Sequence, residues 1–153
     1  MRKSVLLLVG LFWLCEIWAS LAMADPLGVQ LANGKVHRFN VRIANNDQTR
    51  EKGLMGVQNL PEDQGMLFVF DDLTPAQFWM KDTLIPLDMV FIDGMGVVSS
   101  VHSKARPLDL SVISSKEPVK AVLEISGGVA EKLGIDRGDQ IISPIFGKSL
   151  DKP

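Results

Sequence analysis

Cysteine and histidine are scarce in this sequence, which limits the disulfides, thiol nucleophiles and metal sites that the protein can form. Among its 153 residues Cys15 is the single cysteine, and His37 and His102 are the two histidines. Cys15 lies in a segment that we expect to be removed, so the remaining chain would have neither a disulfide nor a thiol nucleophile. The histidines share no ligand spacing, which argues against zinc, and most of the methionines fit core positions better than a copper(I) site. We therefore expect no metal and no cofactor.

An excess of basic residues is also missing. The chain has 16 Lys and Arg against 18 Asp and Glu, and without residues 1–24 it keeps 14 basic and 17 acidic residues, a formal charge of −3. Proteins that bind a phosphate backbone usually carry a basic stripe or patch. No such stripe is present here, so the sequence predicts no nucleic-acid partner.

A long apolar run occurs at the N-terminus. Residues 1–3 are basic at two positions, residues 4–15 are almost entirely apolar, and residues 22–24 read Ala-Met-Ala. These are the three parts of a secretory signal peptide, and Glu16 interrupts the apolar run before it is long enough for a comfortable membrane span. We expect cleavage after Ala24, export to the periplasm or secretion, and no stable membrane span afterwards. An uncleaved N-terminal anchor is the alternative.

Alternating apolar residues dominate the chain beyond residue 24. Phe39, Val41 and Ile43 share one face of a strand, residues 65–70 form a nearly continuous apolar strand, and residues 119–125 alternate again. Short helices are predicted after Asp47 and after Ser126, which we expect to cap them. The pattern predicts one domain over residues 25–153. Its expected fold class is mainly β, an antiparallel β-sandwich or barrel-like domain with one or two short helices.

The segment FWMKDTLIPLDMVF, residues 78–91, places polar side chains between two apolar arms. We expect residues 76–81 and 87–93 to be adjacent strands, so that Trp79, Lys81, Asp82 and Asp88 converge at one tip. A flat aromatic wall beside charged groups suits a cleft that binds a small molecule or an envelope partner. The alternative is a structural turn, in which Asp82 caps the turn, Lys81 pairs with a carboxylate and Trp79 belongs to the core.

Arg50 and Glu124 are charged residues set among apolar neighbours. They could form a buried bridge, since a guanidinium matches a carboxylate with two parallel hydrogen bonds, or they could support a ligand site. Asp88 and Glu124 could instead act as general acid and base in an envelope hydrolase. A third possibility is a structural or interaction module in which all these charges only hold the fold. Whether the protein is an enzyme is left open by the sequence.

Five separated blocks carry a family resemblance: REKGLM at residues 50–55, QGMLF at 64–68, FWMKDT at 78–83, PLD at 86–88 and VLE at 122–124. In this order they resemble the domain of unknown function 192 family. The resemblance implies an exported bacterial protein with a β-sandwich or barrel-like fold, and it supplies no reaction. Residues 127–142 also resemble the C-terminal part of peptide-binding PDZ domains, but the carboxylate-binding loop of that family is missing upstream.

Overall fold

The computed structural model describes residues 24–150, so the predicted signal peptide lies outside the described residues except for Ala24. The strands are β1 (Asp25–Gln30), β2 (Val36–Ala44), β3 (Gln64–Thr74), β4 (Gln77–Phe78), β5 (Leu87–Ile92), β6 (Val98–Ala105), β7 (Ile113–Ser114), β8 (Val119–Ser126) and β9 (Gln140–Ile142). The helices are α1 (Asp47–Lys52) and α2 (Val129–Leu133), followed by one 3-10 turn, Pro144–Phe146. The predicted mainly β domain with short helices is confirmed. No helix within residues 24–150 is long and apolar enough to cross a membrane.

Seven strands form one sheet in the order β6-β5-β8-β3-β2-β1-β9, while β4 and β7 form a separate two-stranded sheet. Only β2 and β3 pair in parallel among the described strands. The two edges of the large sheet approach each other, because Val97 bridges Gln140 and the Val98 amide donates to the Asp139 carbonyl at 2.8 Å. The sheet therefore curls towards closure, and the predicted barrel-like architecture is confirmed.

Two hydrophobic clusters lie on opposite faces of the curled sheet. The inner cluster draws side chains from nearly every strand of the large sheet and from α2, among them Leu67, Val90 and Leu123. The outer cluster combines residues of β3, β5 and β8 with the loops that cover them. Because successive side chains of a strand point to opposite faces, each charged residue of a central strand belongs to one face or the other.

Residues 79–86 form a turn-rich loop rather than the tip of a hairpin. β4 pairs with β7, and β5 lies between β6 and β8. The loop is held by other loops: the Gly56 amide donates to the Asp82 carbonyl at 2.9 Å, and the Met80 amide donates to the Asp109 carbonyl at 2.9 Å. The prediction that residues 76–81 and 87–93 are adjacent strands is therefore wrong. Alternation identified apolar positions, but it carries no information about which strand pairs with which.

Both helices begin one or more residues away from the predicted caps. The N-cap of α1 is Asn46, whose side chain accepts a hydrogen bond from the Thr49 amide at 2.9 Å while the Thr49 hydroxyl accepts one from the Asn46 amide. This is a reciprocal capping box, and Asp47 is the first helical residue. The N-cap of α2 is Gly128, with a φ of 91° that favours glycine, instead of Ser126.

Candidate functional site

Asp88 is buried on the inner face of β5, where its carboxylate accepts hydrogen bonds from three backbone amides. The carboxylate accepts hydrogen bonds from the amides of Lys104 at 2.7 Å, Gly128 at 2.9 Å and Ala130 at 2.8 Å. Two of these donors belong to the first turn of α2, whose N–H groups have no partner within the helix. The third belongs to Lys104, which has a φ of 55° next to a register shift between β5 and β6. Asp88 thus ties α2 and the irregular end of β6 to β5.

Glu124 and Asp88 lie on neighbouring strands but face opposite sides of the sheet. Asp88 is in register with Ile125, a residue of the inner cluster, whereas Glu124 is in register with Met89 and Met66 of the outer cluster. Side chains on opposite faces cannot flank one substrate atom. The hydrolase hypothesis, which needs these two carboxyl groups as acid and base, therefore has no shared site in this fold.

The Glu124 side chain is buried without a partner. It is 4% exposed, and within residues 24–150 no protein group donates a hydrogen bond to its carboxyl group or forms an ion pair with it, while the carboxyl oxygens still reach the cleft that the residue lines. Burial in apolar surroundings disfavours the charged form and raises the pKa of Glu124 to about 8. Near neutral pH the carboxyl group is therefore mostly protonated, and it can donate or accept a hydrogen bond.

Glu124 lies in a cleft on the outer face, called here the Glu124 cleft. Its volume is about 370 Å³, and its lining includes four aromatic residues, Phe68, Phe70, Phe78 and Trp79. The rings of Phe68 and Phe78 meet edge to face with centroids 5.0 Å apart, which fixes their orientation. Trp79 is 50% exposed. A buried carboxyl group and four aromatic side chains therefore meet in one concave site.

Two glycines allow the chain segments around the cleft to approach closely. Gly53 ends α1 with a φ of 46°, and a Cβ placed there would lie 3.3 Å from Cζ of Phe68. A Cβ on Gly65 of β3 would lie 2.6 Å from the carbonyl oxygen of Glu124. Glycine is required where backbones come this close. Gly53 thus sets the end of α1 against the aromatic wall, and Gly65 sets β3 against the strand that carries Glu124.

Arg50 lines the same cleft but forms no bridge with Glu124. One guanidinium nitrogen donates to the Val69 carbonyl at 2.8 Å, and the other pairs with Asp47 at 2.8 Å. The guanidinium carbon also lies 5.8 Å from the centroid of the Phe70 ring. The predicted Arg50–Glu124 bridge does not form, because the local partners of Arg50 on α1 and β3 hold its side chain at the wall of the cleft.

A second, larger cleft of about 890 Å³ shares Trp79 with the first. It is lined by Arg42, Lys52 and Lys81 among others, and the Lys81 ammonium lies 5.3 Å from the centroid of the Trp79 ring. Asp82 is exposed in the adjoining turn, where its φ is 51°. Of the four predicted binding residues, the structure therefore brings Trp79, Lys81 and Asp82 to one region and places Asp88 on the other face of the sheet.

Sequence reasoning missed the phenylalanines of the wall. The sequence places Phe68 and Phe70 on an apolar strand, which is confirmed, and Phe78 on a hairpin arm. Phe68 is buried in the outer cluster as well, but apolar alternation alone does not show which of these rings also line a cleft. Glu124 was detectable, because a carboxyl group in an apolar strand is unusual. Within residues 24–150 no three His, Cys, Asp or Glu side chains cluster as metal ligands would.

Comparisons with known proteins agree with this architecture. Residues 29–143 match the model of domain of unknown function 192, described as an uncharacterised ACR. A crystal structure of a candidate transcription regulator from Sinorhizobium meliloti is 36% identical, with a TM-score of 0.78 over 79% of this chain and 94% of that chain. A protein of unknown function from Novosphingobium aromaticivorans is also 36% identical, with a TM-score of 0.75 over 77% of this chain and 84% of that chain. No curated protein matches. The chain belongs to the domain of unknown function 192 family.

Proposed function

We propose that this protein binds a small molecule in the Glu124 cleft. The observation that carries the proposal is the unpartnered Glu124 carboxyl group, 4% exposed, within an aromatic lining. The carboxyl oxygens are open to the cleft, since Nε2 of His37 is the only fully enclosed side-chain N or O atom within residues 24–150 that has no partner. A ligand in the cleft can therefore hydrogen-bond this carboxyl group, which would fix the orientation of the ligand.

The dimensions of the cleft support the same proposal. Ligand pockets usually enclose roughly 300 to 1,000 Å³ and combine an apolar lining with a few polar groups that orient the ligand. The Glu124 cleft has about 370 Å³, a wall of four aromatic residues and one buried carboxyl group. Its size suits a compound of one or two rings.

A binding role is favoured over hydrolysis by the surroundings of Glu124. Its direct neighbours across the sheet are Met66 and Met89, which have no proton to transfer in acid–base catalysis. Asp88, the second carboxylate of the hydrolase hypothesis, already accepts hydrogen bonds from the backbone on the opposite face. The proposed activity is therefore non-covalent binding.

A fragment screen tests this proposal. The full chain with Trp13→Phe and Trp18→Phe retains Trp79 as its single tryptophan, so its fluorescence reports on the cleft directly. A library of amines, neutral aromatics and carboxylic acids should give binders that change this fluorescence. Those binders should weaken at least tenfold in Glu124→Leu and stay unchanged in the control Glu117→Gln, an exposed acidic residue outside the cleft. Binders whose affinity is unchanged in Glu124→Leu, or a library that gives no binders at all, would overturn the proposal.

We also propose that residues 1–24 are a signal peptide and that the ligand is met outside the cytoplasm. The support is the order of a basic segment, an apolar run and Ala-Met-Ala in the sequence. N-terminal sequencing of the protein from an envelope fraction should give Asp25 as the first residue. Recovery of an intact Met1 in the membrane fraction would favour an anchor instead.

A further inference from the structure

We infer that the ligand class of the Glu124 cleft is an organic ammonium ion with an apolar body. The inference rests on the proposed function and deepens it. Two features of the cleft carry it: a wall that contains four aromatic rings, and a buried carboxyl group that forms no ion pair with any described residue.

The aromatic wall suits a cation because the face of an aromatic ring is electron-rich. Two rings of the wall already attract cations of the protein itself. The Lys81 ammonium lies 5.3 Å from the centre of the Trp79 ring, and the Arg50 guanidinium lies 5.8 Å from that of Phe70. Lys81 is exposed, so a ligand ammonium can replace it at Trp79, while Phe68 and Phe78 offer an apolar surface to the ligand body.

The Glu124 carboxyl group favours an ammonium ion over an anion at its own position. Arg50 also lines the cleft, but both of its terminal nitrogens already have partners in Val69 and Asp47. A ligand carboxylate next to Glu124 would have to lose its water without gaining an ion pair with that group, which is costly. A ligand ammonium instead gains a charge-assisted hydrogen bond to the Glu124 carboxylate.

Binding of an ammonium ion is coupled to loss of one proton from Glu124. The protonated carboxyl group releases its proton to solvent, and the carboxylate that remains pairs with the ligand ammonium, so charge and protons balance. The raised pKa of Glu124, about 8, means that this proton is present before binding at neutral pH. The other titratable groups that line the cleft are Arg50, Glu51 and Lys52, all on α1. Affinity should therefore increase with pH, by up to about tenfold per unit below the pKa of Glu124.

Three probes of the same shape test the inference: benzylammonium, benzyl alcohol and benzoate. Titration followed by Trp79 fluorescence, on the full chain with Trp13→Phe and Trp18→Phe, should show benzylammonium binding at least tenfold more tightly than benzyl alcohol at pH 7, and benzoate most weakly. Benzylammonium affinity should rise between pH 5.5 and 7.5, while that of benzyl alcohol stays constant. Calorimetry in two buffers of different ionisation enthalpy should count close to one proton released. Glu124→Gln should abolish the preference for the ammonium and the pH dependence, whereas Glu117→Gln should retain both.

The outcomes separate this inference from the proposed function. Equal affinity for benzylammonium and benzyl alcohol, unchanged in Glu124→Gln, would overturn the ammonium class while leaving the cleft a binding site for neutral molecules. Tightest binding of benzoate would overturn it as well. Failure of all three probes would reject the ammonium class, and the proposed function would fall too if the fragment library also gave no binder at Trp79.

Discussion

The Asp88 carboxylate accepts the Gly128 amide hydrogen bond with both of its oxygens, each at 2.9 Å. One of these oxygens also accepts from the Ala130 amide, and the other from the Lys104 amide. A buried carboxylate that satisfies three backbone donors from two chain segments is a structural clamp. Its position on β5 ties the start of α2 to the inner core.

Replacing Asp88 should therefore destabilise the protein strongly. Asp88→Ala leaves the amides of Lys104, Gly128 and Ala130 without an acceptor in a buried region, and we expect a loss of roughly 3 to 5 kcal/mol in the free energy of unfolding. Asp88→Asn keeps one acceptor oxygen and should lose less. Urea unfolding at neutral pH measures both. The exposed control Glu117→Ala should stay within about 0.5 kcal/mol of wild type, and an equally small loss for Asp88→Ala would refute the clamp.

Glu124 should make the protein less stable as pH rises. The pKa of about 8 in the folded state is above the ordinary value of 4.5 for a solvated glutamate, so between these two pH values the folded state keeps a proton that the unfolded state has lost. Below about pH 4.5 the protonated Glu124 makes its full contribution to the free energy of unfolding. That contribution, on the order of 5 kcal/mol, is lost progressively as pH rises towards 8. Urea unfolding from pH 4.5 to 8.5 should show this decline in the wild type and in Glu117→Gln. Glu124→Gln should lack most of it, and a parallel decline in Glu124→Gln would contradict the assignment.

Arg50 should contribute to stability through its local partners alone. Arg50→Ala removes the hydrogen bond to the Val69 carbonyl and the contact with Phe70, and we expect a loss of about 1 to 2 kcal/mol. Asp47→Ala removes only the partner of an exposed ion pair and should cost less than about 1 kcal/mol. Thermal unfolding compares the two. The loss of stability in Arg50→Ala should be the same whether or not Glu124 is ionised. A loss of unfolding free energy that grows from pH 5 to pH 8 would instead indicate an ion pair between Arg50 and Glu124.

Gly65 should tolerate no side chain beside Glu124. In Gly65→Ala the new Cβ would lie 2.6 Å from the Glu124 carbonyl oxygen, a backbone atom that can move only if β3 and β8 separate. We expect a loss of about 2 to 4 kcal/mol and weaker binding of any cleft ligand. The matched control is Gly94→Ala, whose Cβ would meet the flexible, exposed Leu73 side chain at 3.3 Å. Chemical denaturation should separate the two, and similar small losses would show that the strands are not held so closely.

The sequence by itself determined the fold class, because burial on a pleated strand requires apolar residues at every second position. The alternation of Phe39, Val41 and Ile43, and the continuous apolar run at residues 65–70, correspond to β2 and β3. The short helices were also recognisable, although tertiary contacts decided their caps. Ser126 resembles an N-cap in the sequence, but Gly128 is the N-cap of α2, and Asp88, 40 residues earlier, supplies the acceptor for its amide.

Only the tertiary structure decided which charged residues meet. The sequence identified Trp79, Lys81, Asp82, Asp88, Arg50 and Glu124 as unusual, but it grouped Asp88 with Trp79 on the assumption of a hairpin. In the fold β8 separates β3 from β5, and the register of β5 with β8 places Asp88 and Glu124 on opposite faces. A shift of one residue in that register would pair Asp88 directly with Glu124 and place the two carboxyl groups on the same face. Strand order and register arise from contacts between residues distant in sequence, so the local periodicity of apolar residues does not determine either of them.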